Sequence, residues 1–191
     1  DMKETELQNG TIDAIWNGYT ATDERKEKVA FTIPYMENQQ VFVSKKSQNI
    51  HSIQDMTDKI LGAQAGSSGY LNFEGQPELL KNRVKDQKAN QYQSFNEALI
   101  DLKNDRIDAL LIDRVYANYY LQSEGILSDY NVFSAEFESE AFAVGVRPAD
   151  KTLLAALNQA FISLYQEGKF QEISQKWFGE DVATSQVKNQ E

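Results

Sequence analysis

Arg25 stands at a position where a positive charge is mildly unfavourable by itself. It is the last residue of NGYTATDER (17–25), which follows the apolar run IDAIW (12–16) and is typical of a strand that turns into a helix. The first turn of a helix already carries unpaired N–H groups and partial positive charge. The guanidinium, the hydroxyl of Thr20 and these N–H groups could bind an anion, because a guanidinium matches a carboxylate with two parallel hydrogen bonds. A surface ion pair with an adjacent acid is the equally open alternative, and such pairs contribute little.

Asp113 is a charged residue at the end of a second apolar run. The preceding residues 107–112 predict a buried strand, so the carboxylate is partly removed from water and needs a cationic partner. The neighbouring Arg114 or the ammonium group of a ligand could provide it. Arg25 and Asp113 together would bind the two charged ends of an α-amino acid, and we expect them to face each other across a cleft.

The turn QAGSSGY (64–70) offers polar groups after a third apolar run. Its Gly and Ser residues expose backbone N–H groups, and Ser67 and Ser68 add hydroxyls, which suits an anion at the start of a helix. A nucleotide site is not expected, because no lysine follows the glycines as a phosphate-binding loop requires. An ordinary polar turn is the alternative for this segment.

The composition argues against several classes of function. The 191 residues include no cysteine, and the single histidine, His51, lies in a polar segment (45–55) that is typical of a solvated loop. We therefore expect no catalytic histidine, no metal cluster and no cofactor. The formal net charge of −10 repels phosphate backbones, so nucleic acid is not an expected partner. No apolar run approaches the length of a membrane-spanning helix.

Two segments of the chain resemble each other. LQNGTIDAIW (7–16) aligns with LKNDRIDALL (102–111), with Leu, Asn, Ile, Asp and Ala at matching positions. Each copy predicts a helix that ends in a polar turn and is followed by a buried strand. Further short strands are predicted at 41–43, 60–63 and 141–146. The alternation of helices and strands indicates an α/β fold with two lobes of similar design.

Several helix boundaries can be predicted from single residues. SFNE (94–97) has the spacing of a capping box that begins a helix. Asp150 is expected to cap a long helix whose apolar stripe stops before Gly168. A shorter helix then ends near Gly179. The polar tail after residue 181 is expected to fray.

The chain resembles the solute-binding proteins of bacterial polar amino-acid ABC transporters, a family that includes glutamine-, histidine- and arginine-binding proteins. The resemblance extends from LQNGTIDAIWNGYTATDERKEKVAFTIPYMENQQVFV to LYQEGKFQEISQKWFG. Its most specific parts are TDERKEKVAFTIPY and the later pairing of AGSSGY with IDALLID. It implies an α/β, two-lobed, periplasmic-binding-protein-like fold of type II. In this fold two crossing strands join the lobes, which close on one amino acid without covalent chemistry.

The resemblance also implies which residues bind the charged ends of the ligand. Arg25 corresponds to the arginine that holds the α-carboxylate. Ser67 and Ser68 correspond to a turn whose N–H and hydroxyl groups share this carboxylate. Asp113 corresponds to the acid that binds the α-ammonium group.

Further contacts are implied at the edge of the first lobe. There a backbone carbonyl of the segment Asn17, Gly18, Tyr19, Thr20 and the Thr20 hydroxyl would hold the ligand backbone, and Tyr19 would form an apolar wall. Gln64 lies where ligand side chains are often distinguished. The identity of the amino acid stays open, since Asn17 and Gln64 favour a neutral polar side chain, whereas Arg114 favours an acidic one.

Members of this family begin with a strand, a helix and a second strand of lobe one, and this sequence starts after the corresponding point. We therefore expect an incomplete lobe one, formed by residues 1–37 and 135–191, and an intact lobe two, formed by residues 38–134. Strand edges left unpaired in lobe one would favour a homodimer or domain exchange, or would weaken ligand binding.

The implied function is that of the extracytoplasmic substrate-binding component of an amino-acid ABC transporter. It would lie in the periplasm, or be lipid-anchored at the outer face of the cytoplasmic membrane, and would deliver a free polar L-amino acid to the permease subunits. The alternatives are a dehydratase-like enzyme on the same fold and the sensory ligand-binding domain of a receptor. An enzyme would need a general acid in the cleft, for which Asp113 and Glu37 are the candidates.

Overall fold

The computed structural model describes residues 2–189. The helices are α1 Lys3–Gln8, α2 Asp23–Lys26, α3 Ser68–Gly75, α4 Phe95–Lys103, α5 Arg114–Ser123, α6 Lys151–Gln166, α7 Lys169–Phe178 and α8 Ser185–Lys188. The strands are β1 Ala30–Phe31, β2 Met36–Asn38, β3 Gln40–Lys45, β4 Leu61–Gln64, β5 Ala89–Tyr92, β6 Ala109–Asp113, β7 Tyr130–Ser134, β8 Glu140–Phe142 and β9 Gly145–Val146. Short 3-10 turns occupy Lys46–Gln48, Ile53–Met56, Lys85–Gln87 and Leu127–Asp129, and a π turn occupies Pro77–Lys81.

The chain divides into two units. Unit 1 consists of residues 1–38 and 140–191, and unit 2 consists of the continuous segment 39–139. The backbone therefore passes between the units twice, directly after β2 and directly before β8. These two strands pair antiparallel, with Asn38 opposite Glu140, so both passages leave unit 1 from neighbouring positions.

Unit 2 contains a five-stranded mixed sheet in the order β5-β4-β6-β3-β7. The first three strands are parallel to one another, and β3 runs antiparallel to β6 and β7. Successive side chains of β3 point to opposite faces. Phe42 belongs to the core on one face together with Phe73 of α3, and Val41 and Val43 belong to the other core together with Leu99 of α4. Because both faces are covered, β3 and β6 show the continuous apolar runs predicted for buried strands.

Unit 1 is built from two short antiparallel ladders and from helices. One ladder joins β1 to β9 and the other joins β2 to β8. Val144 and Val146 of the second chain segment pack with Phe161 of α6 in one core. A second core contains Leu7, Ile15, Tyr19 and Val29, with Tyr19 fully buried.

The predicted helix boundaries are largely confirmed. Ser94 Oγ accepts a hydrogen bond of 3.3 Å from Glu97 N, which caps α4, while the Glu97 carboxylate accepts one of 3.1 Å from Gln93 N. Gly168 and Gly179 follow the ends of α6 and α7 with φ of 78° and 73°. This left-handed conformation is easily reached by glycine and ends a helix.

Three expectations about local structure are wrong. Residues 12–16 form no strand: within residues 2–189 the segment makes one bridge, between Ile15 and Gly145, because no partner runs alongside its full length. Asp150 precedes α6 but does not cap it, since its carboxylate lies 2.7 Å from Arg147 Nε. Residues 182–187 of the tail are packed, not frayed, with Val182, Ala183, Thr184 and Val187 buried.

No helix in the described part of the chain is long and apolar enough to cross a membrane.

Candidate ligand-binding site

Arg25 lies in the first turn of α2, as its sequence position predicts. The hydroxyl of Thr22 caps this helix by accepting a hydrogen bond of 3.3 Å from Arg25 N. The Arg25 side chain is buried, and its Nη1 donates to the carbonyl oxygen of Thr20 at 3.0 Å. The surface ion pair considered as an alternative is disfavoured, because Asp23 pairs with Lys26 and Glu24 pairs with Lys28.

The ring of Tyr19 supports the guanidinium of Arg25. Arg25 Cζ lies 4.6 Å from the ring centroid, and Lys3 Nζ lies 4.7 Å from it. An aromatic face attracts a cation by its quadrupole, and this attraction strengthens when water is excluded. Tyr19 exposes no surface, so the predicted apolar wall has no open ring face in this structure, and the ring contacts the two cations instead.

A carboxylate completes the surroundings of Tyr19. The Tyr19 hydroxyl donates a hydrogen bond of 2.9 Å to Glu4 Oε1. Burial raises the pKa of Tyr19, and the hydrogen bond to Glu4 raises it further. Burial would also raise the pKa of Glu4, but the bond from Tyr19, a backbone hydrogen bond and the charges of Lys3 and Arg25 together outweigh it, so the pKa of Glu4 is lowered. Burial and the charge of Arg25 lower the pKa of the Lys3 ammonium.

Thr20 contacts a residue that the sequence did not indicate. Its hydroxyl donates a hydrogen bond of 2.7 Å to Glu140 Oε2 in β8, and Thr20 also forms an antiparallel bridge with Phe142. Asn17 and Gly18 precede it on the surface, and the Asn17 carbonyl accepts a bond of 2.6 Å from Tyr19 N. Asn17, Gly18, Tyr19, Thr20 and Arg25 therefore lie together in unit 1.

In unit 2 the predicted residues gather at one edge of the sheet. β4 and β6 are parallel neighbours, so their last residues, Gln64 and Asp113, lie at the same edge. Ser67 caps α3, accepting a bond of 3.1 Å from Tyr70 N, and Ser68 follows as the first, buried residue of the helix. Gln64 Nε2 donates to a neighbouring loop, at 3.1 Å from Gln93 O.

A buried amide joins Ser68 and Asp113. Gln40 Nε2 lies 2.7 Å from Asp113 Oδ1 and 3.2 Å from Ser68 Oγ. Gln40 is only 3% exposed, which is unusual for a glutamine. Sequence reasoning missed this residue. The signal that could have found it is a polar residue at the start of the apolar strand 40–43, opposite Asp113 once the strands are paired antiparallel.

Taken separately, the two units contain donors and acceptors that are typical of zwitterion-binding proteins. Unit 1 offers a guanidinium beside a hydroxyl, and unit 2 offers a carboxylate beside a serine hydroxyl at a helix N-terminus. The guanidinium, the serine hydroxyl and the helix N-terminus suit a carboxylate ion, and the carboxylate suits an ammonium ion. Within residues 2–189, no three His, Asp or Glu side chains are placed to hold a metal ion.

Comparison with known proteins gives a consistent result. The family model of bacterial extracellular solute-binding proteins, family 3, matches residues 1–180. An ABC uptake transporter substrate-binding protein from Streptococcus pneumoniae, solved with bound histidine, is 70% identical. The match covers 97% of this chain and 75% of that chain, with a TM-score of 0.93.

Two further relatives extend this comparison. A polar amino acid ABC uptake transporter substrate-binding protein from Streptococcus thermophilus is 62% identical, over 98% of this chain and 71% of that chain, with a TM-score of 0.65. ABC transporter arginine-binding protein 1 of Escherichia coli K12 is 32% identical over 170 residues, which are 87% of this chain and 66% of that protein. The chain thus spans about two thirds of the length of the curated relatives that it matches.

Proposed function

Because the chain belongs to family 3 of the bacterial extracellular solute-binding proteins, which are not enzymes, we propose that it binds a free polar L-amino acid for an ABC uptake transporter. The observation that supports this most directly is the carboxylate of Asp113, which ends a buried strand and is held by an amide N–H at 2.7 Å. A fixed carboxylate at that edge suits the α-ammonium group of a ligand.

The other end of the ligand would be bound by the cation of unit 1. In this proposal Arg25 holds the α-carboxylate, with Ser67 and Ser68 contributing hydroxyl and N–H donors. The burial of Arg25 and its contacts with Thr20 and Tyr19 favour a fixed guanidinium, which binds a carboxylate at a smaller entropic cost than a mobile one.

Four residues complete the proposed site. Thr20 and the backbone of Asn17 and Gly18 would contact the ligand backbone, and Gln64 would contact its side chain. Histidine and arginine are the ligands named for similar proteins, and both carry polar side chains. We infer the same class of ligand here, a polar L-amino acid.

We further propose that the chain forms two lobes that close on the ligand, lobe one from residues 1–37 and 135–191 and lobe two from residues 38–134, bounds that differ by up to five residues from those of units 1 and 2. Ligand contacts made to both lobes would favour the closed form. The partners would be the permease subunits. The protein would act outside the cytoplasm, in the periplasm or held by a lipid anchor at the outer face of the membrane.

A homodimer or domain exchange is a separate proposal. Within the described residues, unit 1 contains only two-stranded ladders, and the other edges of β2, β8 and β9 make one bridge each, to Ala183, Thr20 and Ile15, so these short edges lack a full strand partner. Strand edges of this kind can pair with another chain. Size-exclusion chromatography with light scattering should detect a dimer whose fraction increases with protein concentration. A monomer at all concentrations would contradict the homodimer proposal.

A thermal-shift screen of the full-length protein against the twenty common amino acids tests the binding function. Ligand that binds only the folded state raises the melting temperature, so one or a few polar amino acids should raise it and the others should not. Isothermal titration calorimetry then measures the affinity of the best one. The absence of a shift with any amino acid, together with no calorimetric signal, would overturn the proposal.

A further inference from the structure

One side chain connects two residues of the proposed ligand site in unit 2. Gln40 is the first residue of β3 and lies directly opposite Asp113 in the antiparallel pairing with β6. Its Nε2 atom contacts Asp113 Oδ1 at 2.7 Å and Ser68 Oγ at 3.2 Å. The same amide therefore contacts an acid and a hydroxyl that are proposed to bind opposite ends of the amino acid.

The hydrogen atoms of these groups determine which atom donates. An ionised carboxylate only accepts, so the contact with Asp113 requires an N–H and fixes the orientation of the Gln40 amide. The same nitrogen carries a second N–H, which donates to Ser68 Oγ. The Ser68 hydroxyl meets Gln40 as an acceptor, and its own proton is therefore directed away from Gln40 to a different acceptor.

We propose that Gln40 is a positioning residue for both ends of the bound amino acid. By donating to Ser68, it directs the serine proton toward the α-carboxylate. By donating to one oxygen of Asp113, it holds the carboxylate so that the other oxygen faces the α-ammonium group. This inference rests on the proposed function, to which it adds a residue that orients the binding groups and need not touch the ligand.

Gly69 provides the space for this arrangement. A Cβ atom at position 69 would lie 2.4 Å from Gln40 Oε1 and 3.1 Å from its Cδ, closer than side-chain atoms normally approach. Gly69 lies inside α3, where alanine favours a helix by about 1 kcal/mol over glycine. Gly69→Ala should therefore displace the Gln40 amide without removing a polar group and without weakening the helix itself.

Calorimetry on the full-length protein tests the proposal, with the amino acid that stabilises it most as the probe. Gln40→Met keeps the length of the side chain and removes both N–H donors, and we expect about 10-fold to 100-fold weaker binding. Gly69→Ala should weaken binding in the same direction. The matched control is Gln91→Met, which removes an exposed amide that donates to Tyr70 Oη at 3.0 Å, and it should leave the affinity unchanged.

Two further measurements separate positioning from a general structural role. Ser68→Ala should weaken binding less in the Gln40→Met background than in the wild type, because the hydroxyl has already lost its orientation. In ¹H–¹⁵N spectra of the ligand-free protein, the Gln40 side-chain amide signals should move in both Ser68→Ala and Asp113→Asn. The proposal would be overturned if the affinity losses of Ser68→Ala and Gln40→Met were additive. It would also be overturned if the Gln40 amide signals did not move in Ser68→Ala or in Asp113→Asn.

The two levels of the proposal fail in different ways. Wild-type protein that binds no amino acid would overturn the proposed function and this inference with it. Wild-type protein that binds an amino acid, with Gln40→Met and Gly69→Ala binding equally tightly, would overturn the role of Gln40 alone.

Discussion

The guanidinium of Arg25 lies over the ring of Tyr19, with Cζ 4.6 Å from the ring centroid. The same guanidinium donates to the Thr20 carbonyl at 3.0 Å. A buried cation is costly unless it is paired or hydrogen-bonded, and these contacts offset part of that cost. The ring and the carbonyl also restrict the rotamers of Arg25, so its donors are held in a fixed direction.

Arg25→Lys is expected to weaken amino-acid binding about 10-fold to 100-fold. A lysine keeps the charge, but it offers a single ammonium group in place of a planar fork and cannot form two parallel bonds to a carboxylate. Calorimetry with the best ligand measures the effect. The control is Arg83→Lys, an exposed arginine in unit 2 whose Nε donates to Leu79 O. Equal affinities of the wild type and Arg25→Lys would refute the assignment of Arg25.

The hydrogen bond between Tyr19 and Glu4 predicts a pH-dependent stability. The pKa of Glu4 in the folded protein is below its ordinary value of 4.5, so the folded state binds the proton more weakly than the unfolded state. The stability from this group is therefore present above pH 4.5 and is lost as the pH falls through the folded pKa. The difference in unfolding free energy between wild type and Glu4→Gln should be largest at neutral pH and shrink below pH 4.5.

Urea titrations over this pH range measure that difference. Glu27→Gln, at an exposed position outside the cluster, is the control. A difference for Glu4→Gln that stays constant down to about pH 3 would be inconsistent with the linkage.

The bond between Thr20 and Glu140 joins residues that are 120 positions apart in the sequence, at 2.7 Å. Thr20→Val removes the hydroxyl and keeps the shape, and it should lower the unfolding free energy by about 1–3 kcal/mol, because the acceptor is charged and the site is partly buried. Thr20→Ser keeps the donor and serves as the control. Denaturant titrations in which Thr20→Val is as stable as Thr20→Ser would show that this bond contributes nothing.

The Ser94 cap of α4 should be measurable as well. Ser94→Ala is expected to lower the unfolding free energy by about 1 kcal/mol, because the N–H of Glu97 loses its acceptor. Ser128→Ala is a suitable comparison, since the Ser128 hydroxyl donates to the exposed carboxylate of Asp129 and does not cap a helix in this way. Thermal or urea unfolding measures both variants, and equal stabilities would argue against the cap.

Features encoded by neighbouring residues could be predicted from the sequence. The cap at Ser94, the helix ends at Gly168 and Gly179, and the position of Asp113 at the end of β6 each depend on residues within a few positions of one another. The repeat at 7–16 and 102–111 correctly predicts the helix ends but not the strand at 12–16. Both copies end a helix at an asparagine, Asn9 or Asn104, followed by a left-handed residue.

Features that depend on distant partners could not be predicted. The segments 12–16 and 107–111 have similar sequences, but β6 has strands on both sides, whereas Ile15 has a single bridge partner. The roles of Gln40 and Glu140 likewise require the pairing of β3 with β6 and the bridge from Thr20 to Phe142. A carboxylate before a helix can either cap the helix or pair with a nearby cation, and the sequence does not show which. Asp150 pairs with Arg147.

The two passages of the backbone between the units affect the order in which the protein can be made. Unit 2 is continuous and leaves the ribosome as one block, so all strands of its sheet are available before residue 140 is added. In unit 1, β1 and β2 have their ladder partners in β9 and β8, so they must wait for more than half of the chain to be synthesised. During translation β1 and β2 thus lack their ladder partners while every strand of the sheet of unit 2 is already present.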